Sequence, residues 1–139
     1  HTEVYVCDSK EAAFNECASY VASCAEALWL SALNWNRPEA ADLMHRLEKK
    51  SPSLVEEMKT VHDYFDPYYH ESIKAQHKQY TMQRIMDNIH LTGPAQEIID
   101  RIRDVESLGL YGVSCVQYAV LNQRANMRAI ADQIMLHFR

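Results

Sequence analysis

The chain has 139 residues, of which 47% are hydrophobic and 24% are charged, and its formal net charge is −5. This length suits one ordinary domain with a buried core, and this balance is that of a globular protein and not of a disordered one. The acidic charge argues against a general binder of nucleic-acid backbones, which usually presents a basic face, so we expect no nucleic-acid partner.

Targeting, disulfide and metal signals are weak. No run of about 18 or more apolar residues occurs, and the start HTEVYVCDSKE does not resemble a signal peptide. We therefore expect no membrane partner and a cytoplasmic location. The cysteines show no CxxC spacing and are interpreted as reduced thiols. The histidines form no helical i, i+4 pair with supporting carboxylates, so we predict no metal site.

A strand and three helices are predicted in the first half of the chain. Residues 2–7, TEVYVC, are rich in β-forming residues and predict a strand. Asp8 is interpreted as the cap of a long helix that runs to about Leu33. Pro38 and the pair Ser51–Pro52 predict the starts of two further helices, because proline is favoured in the first helical turn.

The second half alternates between helical and extended segments. Residues 72–86 predict one helix, and residues 89–93 predict a brief extended stretch. A helix over 94–108 is expected to end at Gly109, where a left-handed backbone conformation is favoured. Residues 113–120 are mostly apolar on both faces, which is typical of a strand buried on both sides.

The last predicted element is a helix that begins at Asn122. Its apolar residues recur at helical spacing and predict a buried stripe of Met127, Ile130, Ala131, Ile134 and Phe138. The whole order predicts an α/β protein with two parallel strands. Two strands alone would leave unpaired edges, so the chain is interpreted as the end of a larger α/β array or as a subunit that borrows strands.

Both ends of the chain resemble one known family. The segment GPAQEIIDRIRDVESLGLYGVSCV, residues 93–116, is similar to a helix–glycine–strand segment of the luciferase-like flavin monooxygenases. The run MRAIADQIMLHFR, residues 127–139, resembles the final helix of that family. The opening HTEVYVCDSKEAA, residues 1–13, resembles a strand that leads into a helical insertion. The block from about 34 to 88 carries no such resemblance.

The resemblance implies a specific fold and activity. The chain would be the C-terminal quarter of a (β/α)8 TIM barrel, which takes about 250 residues when complete. Residues 1–8 would hold strand seven, 9–90 a helical insertion, and 91–139 the last helix, strand and helix. The activity would be that of a flavin-dependent monooxygenase or oxidoreductase acting on a small organic substrate. The cofactor, FMN or a deazaflavin, would be bound mostly by residues outside this chain, and the chain alone would be inactive.

Working residues of such barrels project from the carboxyl ends of the strands. Cys7 and Asp8 follow the first predicted strand, and Gln117 and Tyr118 lie late in the second. These four residues are therefore the candidates for binding the cofactor or substrate. Gln117 is the most informative of them, because it is a polar amide within an otherwise apolar strand.

Two further sets of residues complete the predicted site. Thr92 and Gly93 precede a helix whose first N–H groups could hold a phosphate. Tyr68, Tyr69 and His70 lie in an aromatic segment that could cover the pocket and exclude water.

Two other functions compete with this interpretation. The chain could be a helical interaction module without enzymatic activity, or a small α/β regulatory domain that binds a metabolite. As partners we expect a small-molecule substrate and either a homo-oligomer or the remainder of the barrel, since open strand edges favour association.

Overall fold

The computed structural model describes residues 2–34, 38–69, 72, 74–109, 112–116 and 122–138. Most of these residues are helical, and the strands form one parallel sheet, so the predicted α/β class is confirmed. In the part of the chain so described, no helix has both the length and the apolar character needed to span a membrane.

Three strands and six α-helices follow one another along the described chain. The strands are β1 (Thr2–Val6), β2 (Leu91–Gly93) and β3 (Cys115–Val116). The α-helices are α1 (Lys10–Asn34), α2 (Pro38–Lys50), α3 (Pro52–Tyr64), α4 (Gln83–Ile89), α5 (Ala95–Ser107) and α6 (Gln123–Ala129). A 3₁₀ turn spans Gln76–Tyr80, and the C-terminal helix continues beyond α6 as a π-helical segment (Ile130–Ile134) and a 3₁₀ segment (Met135–Phe138).

The sheet has the order β2-β1-β3, and both pairings are parallel. Val4 pairs with Leu91 on one flank of β1, and Thr2 pairs with Cys115 on the other. The predicted parallel pairing of the first and last strands is therefore confirmed. The brief extended stretch predicted over 89–93 forms an additional short strand in this sheet; three residues are too few to show the alternation that marks a strand.

The strand order has a topological consequence. Strands of a (β/α)8 barrel lie beside their neighbours in chain order, whereas β1 here lies between β2 and β3. The order 2-1-3 is the one with which doubly wound sheets of the flavodoxin type begin. In such sheets the direction of winding reverses at the central strand, and ligands bind beside the carboxyl ends of the strands at that point.

Two compact units divide the chain, one formed by residues 1–17 and 90–139 and the other by residues 18–89. The first unit contains the sheet. Its hydrophobic core is formed by one side chain from each of β1 and β2 and by isoleucines of α5 and the C-terminal helix: Val4, Leu91, Ile98, Ile99, Ile130 and Ile134.

The predicted stripe of the C-terminal helix is only partly correct. Ile130 and Ile134 are buried, whereas Met127, Ala131 and Phe138 are exposed. The reason is the change of helix type within the stripe. A π-helical segment and then a 3₁₀ segment follow α6, so the period of 3.6 residues that defines the predicted stripe is not maintained.

The second unit is helical. Helical spacing in α3 predicts a buried stripe of Leu54, Met58, Val61 and Phe65, and the first three of these residues are buried. The single helix predicted over 72–86 is wrong, because the 3₁₀ turn and α4 are separated at Thr81. The hydroxyl of Thr81 is buried and donates to the carbonyl oxygen of Ala18, a contact that holds the chain away from helical geometry at this point.

The caps at the ends of the helices agree with the sequence prediction at Asn122 and Gly109 but not at Asp8. The side chain of Asn122 accepts a hydrogen bond from the N–H of Ala125, as predicted for the start of the final helix. Gly109 follows α5 with φ +83°, also as predicted. Asp8 is not the cap of α1, because the Oγ of Ser9 accepts from the N–H of Ala12 at 3.2 Å, which places the capping position one residue later.

Candidate functional site at the carboxyl edge of the sheet

The carboxyl ends of β1 and β2 meet at one edge of the sheet. The N–H of Cys7 donates to the carbonyl oxygen of Gly93 at 3.0 Å, which fixes the residues that follow the two strands side by side. Asp8 is exposed and comes next in the chain. Parallel pairing therefore brings together two of the predicted sets, Cys7–Asp8 and Thr92–Gly93, at the edge where α/β proteins place their ligands.

Cys7 is half-buried and its thiol lies against the backbone. Its Sγ is 3.2 Å from the carbonyl oxygen of Ser9, as expected for an S–H donor. Burial raises the pKa of the Cys7 thiol, and hydrogen bonds with Ser9 and Gly93 only partly oppose this effect. The thiol is therefore protonated at neutral pH, which suits a contact residue of the edge and does not suit a nucleophile.

The predicted phosphate position is unfavourable for an anion. Gly93 has φ +126°, and a Cβ placed on it would lie 3.6 Å from a carboxylate oxygen of Glu97 in the first turn of α5. This negative charge would repel a phosphate at the start of the helix. Thr92 is only 5% exposed, and its Oγ1 has no hydrogen-bond partner among the described residues. The predicted phosphate role of Thr92 and Gly93 stays a prediction.

Two side chains from outside the strands hydrogen-bond to the backbone of β1. On the β2 flank, Nδ1 of His90 accepts from the N–H of Glu3 at 2.8 Å. On the β3 flank, the amide of Asn126 accepts from the N–H of Val6 at 2.9 Å and donates to the carbonyl oxygen of Val4 at 2.7 Å. Both side chains are buried, so these hydrogen bonds to β1 lie away from solvent.

A cleft of about 280 Å³ lies beside the carboxyl half of β1. Its polar groups are the phenol of Tyr5, the carboxylate of Glu16 and the amides of two asparagines, and its full lining is Tyr5, Val6, Glu16, Asn122, Ala125, Asn126 and Ala129. Burial raises the pKa of Tyr5 to about 12, and the charge of Glu16 acts in the same direction. The phenol therefore keeps its proton at neutral pH and can donate a hydrogen bond.

The remaining predicted site residues divide into two groups. Gln117, Tyr118 and His70 lie outside the described residues. Tyr68 and Tyr69 lie in the helical unit and are 92% and 62% exposed. The N–H groups of both donate to oxygens of Asp66. Their predicted role as a pocket cover stays a prediction.

A hydrogen-bonded pair of a histidine and a glutamate in the helical unit was not predicted. Nδ1 of His62 lies 2.9 Å and 3.1 Å from the two carboxylate oxygens of Glu26, which is only 8% exposed. The ring of Trp29 lies 5.8 Å from that of His62, centroid to centroid. A carboxylate that holds Nδ1 leaves Nε2 as the other functional nitrogen of the ring, as in acid–base pairs of enzymes.

Four of these residues have little or no signal in the sequence. Glu26 and His62 are 36 positions apart on different helices, so only packing brings them together. Asn126 lies within α6 among polar residues and resembles an ordinary exposed asparagine there. The one available signal for His90 is its place directly before the short apolar stretch that becomes β2.

In the described ranges, no group of three or more histidine, cysteine or acidic side chains is arranged to hold a metal ion. Comparison of the chain with known protein-family models, with curated proteins and with solved structures gave no match.

Proposed function

We propose that the chain is part of a luciferase-like flavin-dependent oxidoreductase, and that the carboxyl edge of its sheet borders the site where a small organic substrate meets the flavin. The reaction would be oxidation of that substrate by reduced FMN and oxygen, or hydride transfer with a deazaflavin. The observation that carries the proposal is the hydrogen bond between Cys7 and Gly93, which joins the ends of β1 and β2 at the edge where α/β enzymes hold their ligands.

The size of the cleft limits how much of a cofactor or substrate this chain can bind. Ligand pockets usually measure about 300–1,000 Å³, so the cleft of about 280 Å³ suits a small substrate or one part of a larger cofactor. Glu97 beside Gly93 opposes the phosphate of a flavin nucleotide at that point. We therefore propose that the phosphate and most of the cofactor are held by residues outside this chain.

The barrel is the more specific part of the proposal. In a barrel β1 and β2 would be consecutive strands and would pair as they do here. Because β1 and β2 pair, β1, β2 and β3 would be strands six, seven and eight of the barrel, whereas the sequence alone predicts strand seven at residues 1–8. The flank of β1 that faces β3 in this structure would belong to strand five, and β3 would pair with β2.

Flavin binding by the complete product of the reading frame tests the proposal. We expect that protein to bind FMN or a deazaflavin, measured by equilibrium dialysis with detection of the bound chromophore. Asp8→Lys should weaken substrate or flavin binding by about tenfold, because the reversed charge stands at the carboxyl edge. Glu106→Lys is the matched control, since Glu106 is equally an exposed acid but lies at the other end of α5. Absence of binding to either flavin would contradict the proposal.

The cleft favours a second candidate function, a regulatory α/β domain that binds a small metabolite. The order β2-β1-β3 creates a reversal of winding at β1, and the cleft lies beside this strand. The phenol of Tyr5, the carboxylate of Glu16 and two amides offer both donors and acceptors to a polar ligand. A product of the reading frame that binds no flavin but is stabilised by a polar metabolite, with the effect lost in Ala129→Leu, would favour this candidate.

A further inference from the structure

The contact between Glu26 and His62 gives the helical unit a histidine with a defined orientation. Both carboxylate oxygens of the buried Glu26 lie within 3.1 Å of Nδ1 of His62. A carboxylate accepts hydrogen bonds and does not donate them, so the proton of the neutral imidazole stands on Nδ1. The lone pair of the neutral ring is therefore on Nε2.

A small reagent can reach this ring from the side away from Glu26. The side chain of His62 is 35% exposed, while Nδ1 is directed at a side chain that is only 10% exposed. The ring of Trp29 lies 5.8 Å from that of His62, centroid to centroid, with 31° between the two planes. This neighbour and the bond to Glu26 together restrict rotation of the imidazole.

The surroundings of the ring favour a positive charge on it. When Nε2 forms a bond to an electrophile, the ring becomes cationic and its Nδ1–H donates a charge-assisted hydrogen bond to Glu26. Burial of Glu26 strengthens this interaction, because little water screens it. A tryptophan ring within about 6 Å also attracts a cation. Glu26 is therefore a positioning residue that stabilises the ring as Nε2 reacts.

We propose that Nε2 of His62 is a nucleophile that accepts a phosphoryl group from a phosphoramidate donor. In this step a bond forms between Nε2 and phosphorus, the bond from phosphorus to the nitrogen of the donor breaks, and the departing amine takes a proton from solvent. The proton on Nδ1 stays between the ring and Glu26. Transfer from one nitrogen to another costs little free energy, since the bond broken and the bond formed are of one kind.

The position of His62 within α3 favours a phosphoryl group over an acyl group. Acyl transfer needs N–H donors for an oxyanion, whereas the backbone N–H groups around His62 are hydrogen-bonded within the helix. A phosphoryl group keeps its charged oxygens in water. Lys59 is exposed and lies three residues earlier on α3, at the spacing of neighbouring side chains, so its charge can offset that of the phosphoryl group. The inference is independent of the proposed flavin chemistry, because it concerns only the helical unit.

Treatment of the chain with phosphoramidate at neutral pH tests the inference, with His45 as the internal comparison. Nδ1 of His45 lies 3.9 Å from Glu48, and the side chain of His45 is 79% exposed. Exposure alone would make His45 the faster of the two to react. We expect His62 to be phosphorylated about tenfold faster, because a carboxylate that orients a histidine contributes a factor of about 10–100. Peptide mass mapping over time gives both rates.

Glu26→Gln removes the charge of the positioning residue and keeps its shape, and Glu48→Gln is the matched control. In Glu26→Gln the rate at His62 should fall about tenfold while the rate at His45 stays the same. Glu48→Gln should leave the rate at His62 unchanged. Far-ultraviolet circular dichroism checks that both variants are folded. Imidazole nitrogen chemical shifts of the unaltered chain should show that neutral His62 carries its proton on Nδ1.

Three results would overturn the inference. The first is phosphorylation of His45 before His62 in the unaltered chain. The second is an unchanged rate at His62 in a folded Glu26→Gln chain. The third needs neither reagent nor variant: neutral His62 with its proton on Nε2 would show that Glu26 does not direct the lone pair to that nitrogen.

Discussion

The backbone N–H of Glu3 donates to Nδ1 of His90 across 2.8 Å, so this nitrogen of the imidazole has to be unprotonated in the folded chain. Burial lowers the pKa of His90 from 6.5 to about 4, and the charge of Arg101 acts in the same direction. The hydrogen bond and the pKa agree, since both require a neutral ring next to β1.

A loss of stability in mild acid follows from this relationship. In the unfolded chain His90 gains a proton as the pH falls through 6.5, whereas in the folded chain it gains one only near pH 4. Its contribution is therefore complete above about pH 7 and is lost between the two values. At pH 5 the free energy of unfolding should be about 2 kcal/mol lower from this group alone.

Urea denaturation at pH 7.5 and pH 5.0 measures this effect. Because other groups also titrate, the informative quantity is the difference between the unaltered chain and His90→Asn, whose amide oxygen can accept from Glu3 but does not titrate. The variant should lose about 2 kcal/mol less than the unaltered chain on acidification. Equal losses in the two proteins would show that His90 does not change its protonation on folding.

The pair Glu26 and His62 should stabilise the helical unit. In His62→Ala the buried carboxylate of Glu26 loses both contacts with Nδ1, and we expect the free energy of unfolding to fall by about 1–3 kcal/mol. A double-mutant cycle with Glu26→Gln should give a coupling energy on the order of 1 kcal/mol. The comparison is Glu48→Gln, which removes an exposed contact with His45 and should change stability by less than about 0.5 kcal/mol. Strictly additive effects of the two substitutions would contradict an interaction.

Two glycines offer a test of the end of α5. Gly109 has φ +83° and no atom within 4 Å of the place where a Cβ would stand, so only backbone strain opposes a side chain there. Gly109→Ala should lower the free energy of unfolding by about 1 kcal/mol. Gly112 is equally uncrowded and has no positive φ, so Gly112→Ala should be neutral within about 0.5 kcal/mol. Thermal unfolding of both variants gives the comparison, and equal effects would show that the left-handed end of α5 is absent.

Alkylation of cysteines tests whether the thiol of Cys7, at the carboxyl edge of the sheet, is unreactive. Burial raises the pKa of both Cys7 and Cys17, so neither thiol is ionised at neutral pH. With iodoacetamide at pH 7.5, Cys7 should react more slowly in the folded chain than in urea, and Cys17, which is fully buried, should react only after unfolding. Peptide mass mapping over time separates the two sites. Faster labelling of Cys7 in the folded chain would mark it as an activated thiol and would contradict the account of this edge.

Local patterns in the sequence correctly predicted those features of the helices that depend on neighbouring residues alone. The stripe of α3 and the end of α5 at Gly109 are confirmed, because helical spacing and a glycine stop are both visible within a few residues. The third strand was predicted only as a brief extended stretch over 89–93, since β2 has three residues and depends on its pairing with β1. The C-terminal stripe failed where the helix changes from α to π geometry at Ile130, a change that the sequence does not signal.

In the candidate site, too, features that depend on the tertiary fold were not predicted from the local sequence. The proximity of Cys7 and Gly93 was not predicted, because it depends on the pairing of β1 with β2. Asn126 lies 120 positions from Val6 and Glu26 lies 36 from His62, and only the tertiary fold brings them together. The capping role of Ser9 illustrates a smaller error, in which a local signal was correct in kind but displaced by one residue from Asp8.

The position of β1 between two parallel neighbours underlies the carboxyl edge and the cleft. Nuclear magnetic resonance of the isotopically labelled chain tests it directly, through scalar couplings across hydrogen bonds. We predict couplings from the amide of Cys7 to the carbonyl of Gly93 and from the amide of Thr2 to the carbonyl of Ser114. Absence of both couplings in the folded chain, or amide contacts that show antiparallel pairing of β1 with either neighbour, would contradict the account.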